Sequence, residues 1–569
     1  MMRTISLAFA LLLLVSSAGY AQKTVRVTYK NIVNGREVAG GPGTVIESDG
    51  TTVRISVAER QDDGPQMPSP RQSSFIDLAG RRSIQLADMP DGSRISTVTP
   101  FSDLPIAEAG NETEMIAGYR CVKSRVIYFS NTIDIWFTGD AGVAGTPVPA
   151  YGVPDGLVLR VVRNGNNVTE AAMVETLRGK EKRINLPEEQ GKVVDRMTFE
   201  HLLREAFVTT VTVFDNAVIN WEGEVSNPAF GMRDTLYRFA GGTIILKKVM
   251  LPQVHDGYSL YAEVTEYSAG DAYDRTGTVF VIPQGDPVTF LDGLTRGHKS
   301  LPVYTDRHGK EYSGVVATAD YRPPVELMRF FTPFGVRGFN ERRTVPGLVW
   351  HDSAFYKQEI SGYLPLLRGE AWIGTFIGNY DRGGHRLSLR LKYYPETREL
   401  EPPVAPGKWI SSVFNTLPIM EMAGQQYGTM FDGDTLSVEV NIPEGLNTLK
   451  MVFISTGHGG WGGGDEFNPK MNELLVDGRR VWSYVPWRSD CGTYRNFNPA
   501  SGNFWNGLSS SDYSRSGWCP GSLSGPLVIP LDGIAPGKHT FSVTVPMGKP
   551  EGGSLSHWNI SGVLTGEMH

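Results

Sequence analysis

The chain is poor in the residues that hold metals. It has three cysteines and ten scattered histidines among 569 residues, and no H-x-H, C-x-x-C or H-E-x-x-H pattern occurs. These spacings are the ones that bring ligands onto one metal ion. We therefore expect neither a metal nor another cofactor.

Charge is also sparse. Charged residues make up 20% of the sequence, the formal net charge is -7, and no basic run occurs. Nucleic acid is not expected as a partner, because its phosphates are bound by clustered lysine and arginine. Beyond residue 21 no apolar run is long enough to span a membrane.

What the chain does contain is 65 glycines and 36 prolines. This composition favours short strands and turns, and the length favours several domains. The sequence therefore predicts an all-β protein.

The first 21 residues have the pattern of a signal peptide. Arg3 precedes an apolar stretch at 7–15, and small residues lead to Ala21. The mature protein is expected to be periplasmic or secreted. In an oxidising compartment an odd number of cysteines leaves one unpaired. Cys121 lies among strand-like residues, which favours a buried free thiol; a catalytic role would need a histidine neighbour or a helix N-terminus.

Alternating apolar and polar residues divide the chain into regions. Residues 22–185 predict an N-terminal β-domain, in which the Pro/Ser/Gln-rich segment 61–74 is expected to be a mobile loop. Residues 186–207 predict a helical connector that Thr198 can cap. Strand patterns return at 208–395 and 409–569, separated by a proline-rich linker at 396–408.

Residues 454–521 carry the strongest functional signal. A glycine-rich loop suited to close approach of a ligand ends in Asp465-Glu466-Phe467. Arg515, Trp518 and Cys519 follow in R-S-G-W-C-P-G, with Cys491 between the two segments. Carboxylates, an arginine and indole rings in one cleft suit a sugar-amide hydrolase. The alternative is a solvated surface loop.

These motifs resemble the second half of the peptide-N-glycosidase F family. Residues 272–279 (AYDRTGTV) and 329–334 (RFFTPF) are similar to its first half, and 116–156 is similar to GLPGLI-type secreted domains of Bacteroidetes. The resemblance implies two antiparallel jelly rolls packed side by side, preceded by an antiparallel, bowl-like β-domain and a short helix. That first domain is expected to control access to the site.

The resemblance also implies an activity: hydrolysis of the amide between asparagine and the innermost sugar of an N-glycan. Asp274 would be the general base and Glu466 the second carboxylate, which holds a proton near the leaving nitrogen; one pKa would be raised because both face one pocket. Arg275 and Arg515 would lie near the sugar and the scissile amide, where an arginine can donate hydrogen bonds to the carbonyl oxygen. The residues expected to bind substrate are Arg275, Arg515, Trp518, Tyr273 and His458. Three alternatives remain open: the arginines could form structural salt bridges, Trp518 could be a core residue, and His458 could shape its loop. Cys491 and Cys519 are expected to form a disulfide. N-glycosylated proteins or glycopeptides would be the substrates of a monomer.

The sequence departs from the family pattern at one position, and two other functions remain to be weighed. A further functional glutamate of the family has no counterpart near Phe376. Either Asp381 or a residue of the N-terminal domain replaces it, or the substrate preference differs. A non-catalytic glycan-binding protein would not need both carboxylates. A copper monooxygenase on the same scaffold would need clustered histidine and methionine ligands.

Overall fold

A computed structural model describes residues 24–38, 43–57, 69–177, 183–222, 224–395, 407–428, 430–459, 464–547 and 556–568. The predicted signal peptide, most of the proline-rich linker and residues 61–68 of the segment expected to be a mobile loop lie outside these residues. The end of that segment is not a loop, because residues 71–74 belong to a strand. The chain divides into two compact units, one up to residue 207 and one from residue 208.

The first unit is a single antiparallel sheet apart from one parallel pair. Its spatial order is β13-β7-β6-β5-β4-β3-β1-β12-β11-β10-β9-β8, with β2 beside β1 and the parallel pair between β13 and β7. The strands are β1 (Thr24–Val33), β2 (Arg36–Glu37), β3 (Thr44–Ser48), β4 (Thr52–Val57), β5 (Arg71–Asp77), β6 (Arg82–Asp88), β7 (Arg94–Pro100), β8 (Glu108–Ile116), β9 (Tyr119–Tyr128), β10 (Asn131–Thr138), β11 (Leu157–Arg163), β12 (Asn167–Leu177) and β13 (Lys192–Val193). The free thiol of Cys121 is buried in its core, as expected.

Helix α1 (Arg196–Ala206) begins earlier than the sequence indicated. Asp195 is the N-cap, and its side chain accepts a hydrogen bond from the backbone N–H of Thr198. The prediction that Thr198 caps the helix is therefore wrong; aspartate and threonine are both good caps, and the helix starts at the first of them. Phe199 packs with Ala87 and Ile95 of the sheet.

The second unit contains two pairs of antiparallel sheets. The first pair has the orders β14-β24-β17-β22 and β15-β16-β23-β18-β21-β30; the second has β25-β33-β27-β31 and β26-β32-β28-β29, and β19 and β20 form a small ribbon. The strands are β14 (Thr209–Ile219), β15 (Leu236–Phe239), β16 (Ile244–Leu251), β17 (Ser259–Ser268), β18 (Thr276–Ile282), β19 (Val303–Thr305), β20 (Glu311–Ser313), β21 (Val325–Phe331), β22 (Ala354–Glu359), β23 (Gly369–Ile377), β24 (His385–Tyr394), β25 (Gly407–Asn415), β26 (Thr435–Ile442), β27 (Leu446–His458), β28 (Asn472–Val476), β29 (Arg479–Tyr484), β30 (Leu523–Ser524), β31 (Leu527–Pro530), β32 (Gly537–Thr544) and β33 (His557–Met568). Two short helices, α2 (Phe290–Arg296) and α3 (Phe339–Arg342), lie in connections. The predicted all-β fold with two jelly rolls is confirmed.

A buried ion pair and a shared strand join the two jelly rolls. Arg329 of β21 donates to both carboxylate oxygens of Glu326 at 3.0 and 2.7 Å and to the backbone oxygen of Asn559 at 2.6 Å. Ser561 of β33 donates to the same glutamate at 2.5 Å. Strand β30, from the second half, pairs with β21. Removing one partner of such a buried pair is strongly destabilising, because an uncompensated charge remains. This junction fixes the two halves at the end of β21, where the candidate site begins.

No helix among the described ranges is long and apolar enough to cross a membrane.

Candidate active site

Asp274 lies in the turn that leads from β17 into β18. Thr332, directly after β21, holds this turn on both sides: its hydroxyl accepts from the backbone N–H of Arg275 at 2.7 Å and donates to the carbonyl of Tyr273 at 2.8 Å. The backbone N–H of Thr332 in turn donates to the carbonyl of Arg275 at 3.0 Å. The R-F-F-T-P-F motif therefore supplies the threonine that fixes the position of Asp274.

The neighbouring arginine points away from this carboxylate. Arg275 donates from Nε to Asp271 at 2.7 Å, and its guanidinium lies over the rings of Tyr273 and Tyr380, 5.0 and 5.3 Å from their centroids. Arg275 therefore forms a structural salt bridge, which was one of the two alternatives for this residue. The guanidinium of Arg275 is still partly exposed beside the two tyrosine rings, where it can also contact a substrate.

Behind Arg275 lies a chain of buried charges that sequence reasoning missed. Nδ1 of His385 is 2.7 Å from Glu266, and its Nε2 is 3.7 Å from Asp271. Although burial alone would lower it, the two neighbouring carboxylates raise the pKa of His385 to about 9. Burial alone would raise the pKa of Asp271, but the nearby His385 and the hydrogen bonds from Arg275 hold it at about 2. His385 is therefore a buried cation at neutral pH.

Glu466 follows the glycine-rich loop, of which residues 460–463 lie outside the described part. The adjacent Asp465 is fully buried and accepts from the indole N–H of Trp558 at 2.8 Å. The carbonyl of Glu466 accepts from the backbone N–H of Ser516 at 2.9 Å, and Ser516 also bonds to the carbonyl of Asp465 at 2.6 Å. Asp465 thus anchors the loop, which leaves the neighbouring Glu466 side chain free to face the site.

Arg515 connects the two carboxylates. Its Nη1 forms an ion pair with Glu466 and lies 3.3 Å from Oδ2 of Asp274, while its Nη2 donates to the carbonyl of Ser510 at 2.9 Å. The side chain is only 1% exposed, and the guanidinium lies over the ring of Phe467. One arginine of the second jelly roll therefore holds a carboxylate from each half of the unit.

Burial gives Asp274 a proton affinity suited to proton transfer. Burial raises the pKa of Asp274 to about 6, against the attraction of Arg515 and Arg275. The sequence predicts repulsion from the second carboxylate as the cause; in the structure burial is the largest cause, and Arg515 lies beside both carboxylates.

Two of the expected substrate contacts, Trp518 and His458, need correction. Trp518 is 3% exposed, donates from its indole N–H to the carbonyl of Gly457 and stacks on Phe331, so it is a core residue and cannot stack on a sugar. His458 is buried in the same stack, where burial holds its pKa well below the usual value. Tyr273 is 61% exposed and remains available.

The expected disulfide between Cys491 and Cys519 is present. It ties the 3₁₀ turn Cys491–Phe497 to the segment that carries Arg515.

The place of the missing glutamate is apolar: Phe376 is fully buried in β23. The side chain of Asp381 accepts from the backbone N–H groups of Gly383 and Gly384 at 2.6 and 3.1 Å, so it shapes its own turn. Glu421, an exposed residue of the second jelly roll, accepts from the hydroxyl of Tyr380 at 3.1 Å, on the ring that also lies beside Arg275. No sequence pattern marks this residue.

The fold and the site define a double jelly-roll protein with an arginine-bridged pair of carboxylates. Family models for the N-terminal and C-terminal domains of peptide-N-glycosidase F match residues 210–393 and 426–565, and a model for the N-glycanase peptide N-terminal domain matches 27–201. The chain belongs to the peptide-N-glycosidase F family.

Solved structures of PNGF-II are similar over nearly the whole chain. The P21 crystal form is 40% identical, covers 96% of this chain and 100% of that chain, and has a TM-score of 0.83. The C2 form is 40% identical, covers 96% and 98%, and has a TM-score of 0.78. Among curated protein sequences none matches this chain.

Proposed function

We infer that this protein hydrolyses the amide bond between asparagine and the innermost N-acetylglucosamine of an N-glycan, leaving aspartate in the peptide. The observation that carries this inference is the bridge from Asp274 through Arg515 to Glu466, which joins the two jelly rolls of a peptide-N-glycosidase F family member. Neither a purely glycan-binding role nor copper chemistry gains support from any feature of the site.

Asp274 is the group that activates water. With a pKa of about 6, its carboxylate is ionised at neutral pH and can accept a proton as the water oxygen bonds to the amide carbon. The protonated carboxyl then delivers this proton to the nitrogen as the C–N bond breaks. The products are an aspartate side chain and a glycosylamine, which loses ammonia in water.

This assignment changes the role expected for Glu466. Glu466 accepts a hydrogen bond from Arg515, so it does not serve as the proton donor to the leaving nitrogen. Arg515 was expected to donate to the carbonyl oxygen of the substrate, yet Nη1 is committed to the carboxylates and Nη2 to Ser510. We assign to both residues the task of holding Asp274 in position and balancing its charge.

Tyr273 and Arg275 form the exposed side of the site and suit contact with the inner sugar. The ring of Tyr273 offers an apolar face, and Arg275 keeps its guanidinium between two rings while Asp271 fixes its direction. Aromatic rings and planar guanidinium groups order a ligand at small entropic cost.

We also propose that the protein acts outside the cytoplasm, in the periplasm or after secretion. The signal-peptide pattern of residues 1–21 and the disulfide between Cys491 and Cys519 support this location.

The test is release of glycan from an N-glycopeptide by wild type, Asp274→Asn and a matched control. Asp320→Asn is the control, because Asp320 is an exposed aspartate of the same jelly roll. We expect the first variant to lose at least ~100-fold in kcat/KM, the usual minimum for a general base, and the control to match wild type. Near-normal release by folded Asp274→Asn would refute the role of Asp274, and no release by wild type would refute the function.

A further inference from the structure

Trp505 is an indole with almost no protein around it. It is 95% exposed, the largest exposed fraction among the large apolar side chains of the described ranges. An apolar ring so exposed is available to cover the apolar face of a ligand, which directs attention to what it could bind.

The segment that carries Trp505 is a tight hairpin held by its own hydrogen bonds. Asn503 and Ser509 pair across it, the N–H of Phe504 donates to the carbonyl of Leu508 at 2.8 Å, and the N–H of Gly507 donates to the carbonyl of Phe504 at 2.9 Å. Gly507 has a φ of 84°, a conformation that costs glycine little. The indole is therefore presented by an ordered backbone and not by a loose strand of chain.

The base of the hairpin is attached to Arg515, the arginine that bridges the two carboxylates. Ser510, directly after the hairpin, accepts from Nη2 of Arg515 with its carbonyl at 2.9 Å and its hydroxyl at 3.1 Å. The ring of Phe504 lies 5.4 Å from the ring of Phe467, over which the guanidinium of Arg515 lies. Trp505 is thus one residue away from a ring cluster that borders the Glu466 side of the site.

We propose that Trp505 forms a second sugar subsite, which takes a pyranose ring of the N-glycan beyond its two inner N-acetylglucosamines. The proposal rests on the function inferred above. A pyranose has one face of C–H groups, which suits a flat indole, and a rim of hydroxyls. The amide side chain of Asn503 is exposed at the same tip and can meet that rim, while the amide of Asn506 holds the hairpin through Tyr513 and the N–H of Leu508.

The shape of the tip favours a sugar over an apolar side chain of the peptide. An apolar side chain is bound best in a concave pocket that removes it from water on several sides. Trp505 stands on a convex turn, with polar neighbours and one half-exposed leucine, Leu508. The single flat face of the Trp505 indole, with its polar surroundings, therefore suits a sugar ring that stays partly hydrated when bound.

The test compares Trp505→Ala with wild type on one peptide that carries either a full branched glycan or the same glycan trimmed to its two inner N-acetylglucosamines. We expect the variant to raise KM roughly 10-fold on the full glycan, the size of a typical anchor residue, with kcat little changed. On the trimmed glycan the loss should be at least fivefold smaller. Trp505→Phe, which keeps a flat ring, should recover part of the affinity. Trp482→Ala is the matched control, because Trp482 is a partly exposed tryptophan of β29 in the same jelly roll.

Equal losses on both glycans would overturn the proposal in favour of a peptide contact, and no loss on the full glycan would overturn it outright. Calorimetric titration of the free branched glycan into wild type and Trp505→Ala provides a readout that needs no turnover. Weaker binding by the variant supports the subsite even if no glycan is released, which would refute only the proposed function. Equal binding by both proteins, or no binding by either, contradicts the subsite.

Discussion

Replacing Asp274 by asparagine is expected to stabilise the protein while it removes activity. Burial raises the pKa of Asp274 from 3.8 to about 6, so the folded state binds the proton more tightly than the unfolded chain does. Stability is therefore highest when this group is protonated and falls as pH rises from about 4 to about 6. Above that range the ionised carboxylate carries its full cost.

The size of this cost follows from the two pKa values. Each unit of pKa difference between the folded and unfolded states corresponds to about 1.4 kcal/mol, so ionised Asp274 lowers the free energy of unfolding by about 3 kcal/mol. Asparagine keeps the shape and cannot ionise. We expect Asp274→Asn to gain about 1–3 kcal/mol at pH 8 and close to nothing at pH 4, since protonated aspartic acid and asparagine are both neutral.

Urea unfolding followed by tryptophan fluorescence measures this difference. All tryptophans except Trp136 lie from residue 208 onwards, so the signal reports mainly on the unit that contains the site. Asp320→Asn is again the control and should match wild type at both pH values. A variant less stable than wild type at pH 8, or equally stabilised at pH 4 and pH 8, would refute the burial argument for Asp274.

Three further outcomes follow from the same geometry. The kcat/KM for glycopeptide should fall on the acid side with a midpoint near pH 6, because only ionised Asp274 accepts a proton, and a flat profile between pH 5 and 8 would be incompatible with this role. Glu466→Gln should lower kcat/KM by at least ~10-fold. Its effect should be far from additive with that of Asp274→Asn, because both carboxylates share Arg515. Full additivity in the double variant would show that the two carboxylates act independently. Replacing Cys491 and Cys519 by serine should lower the free energy of unfolding by roughly 3.5 kcal/mol, as the chain-entropy relation gives for a loop of this length, and non-reducing peptide mapping of the wild type that linked Cys121 to either partner would contradict the pairing.

The sequence indicated the carboxylates of the site but not how they are held. Asp274 and Arg275 are adjacent in the chain, yet Arg275 pairs with Asp271 and Asp274 with Arg515. Successive side chains point to opposite sides of an extended backbone, so neighbours at the start of β18 face different partners. The arginine that matters comes from another jelly roll, and no local pattern contains that pairing.

Burial explains most of the remaining differences. Trp518 and Tyr273 both lie within three positions of an arginine in the sequence, but three-dimensional packing places Trp518 against Phe331 and leaves Tyr273 in solvent. His385 had no neighbouring motif to indicate that β17 would bring Glu266 beside it. The strands themselves were predictable, because their alternating side chains depend on local periodicity.

The most direct test of the central claim is hydrolysis of an N-glycopeptide in water enriched in heavy oxygen, followed by mass spectrometry of both products. If Asp274 directs water to the amide carbon, the former asparagine becomes aspartate that carries the heavy oxygen, and the glycan leaves as a glycosylamine. A peptide that keeps its asparagine, or one that keeps its inner N-acetylglucosamine, would contradict amide hydrolysis at this site.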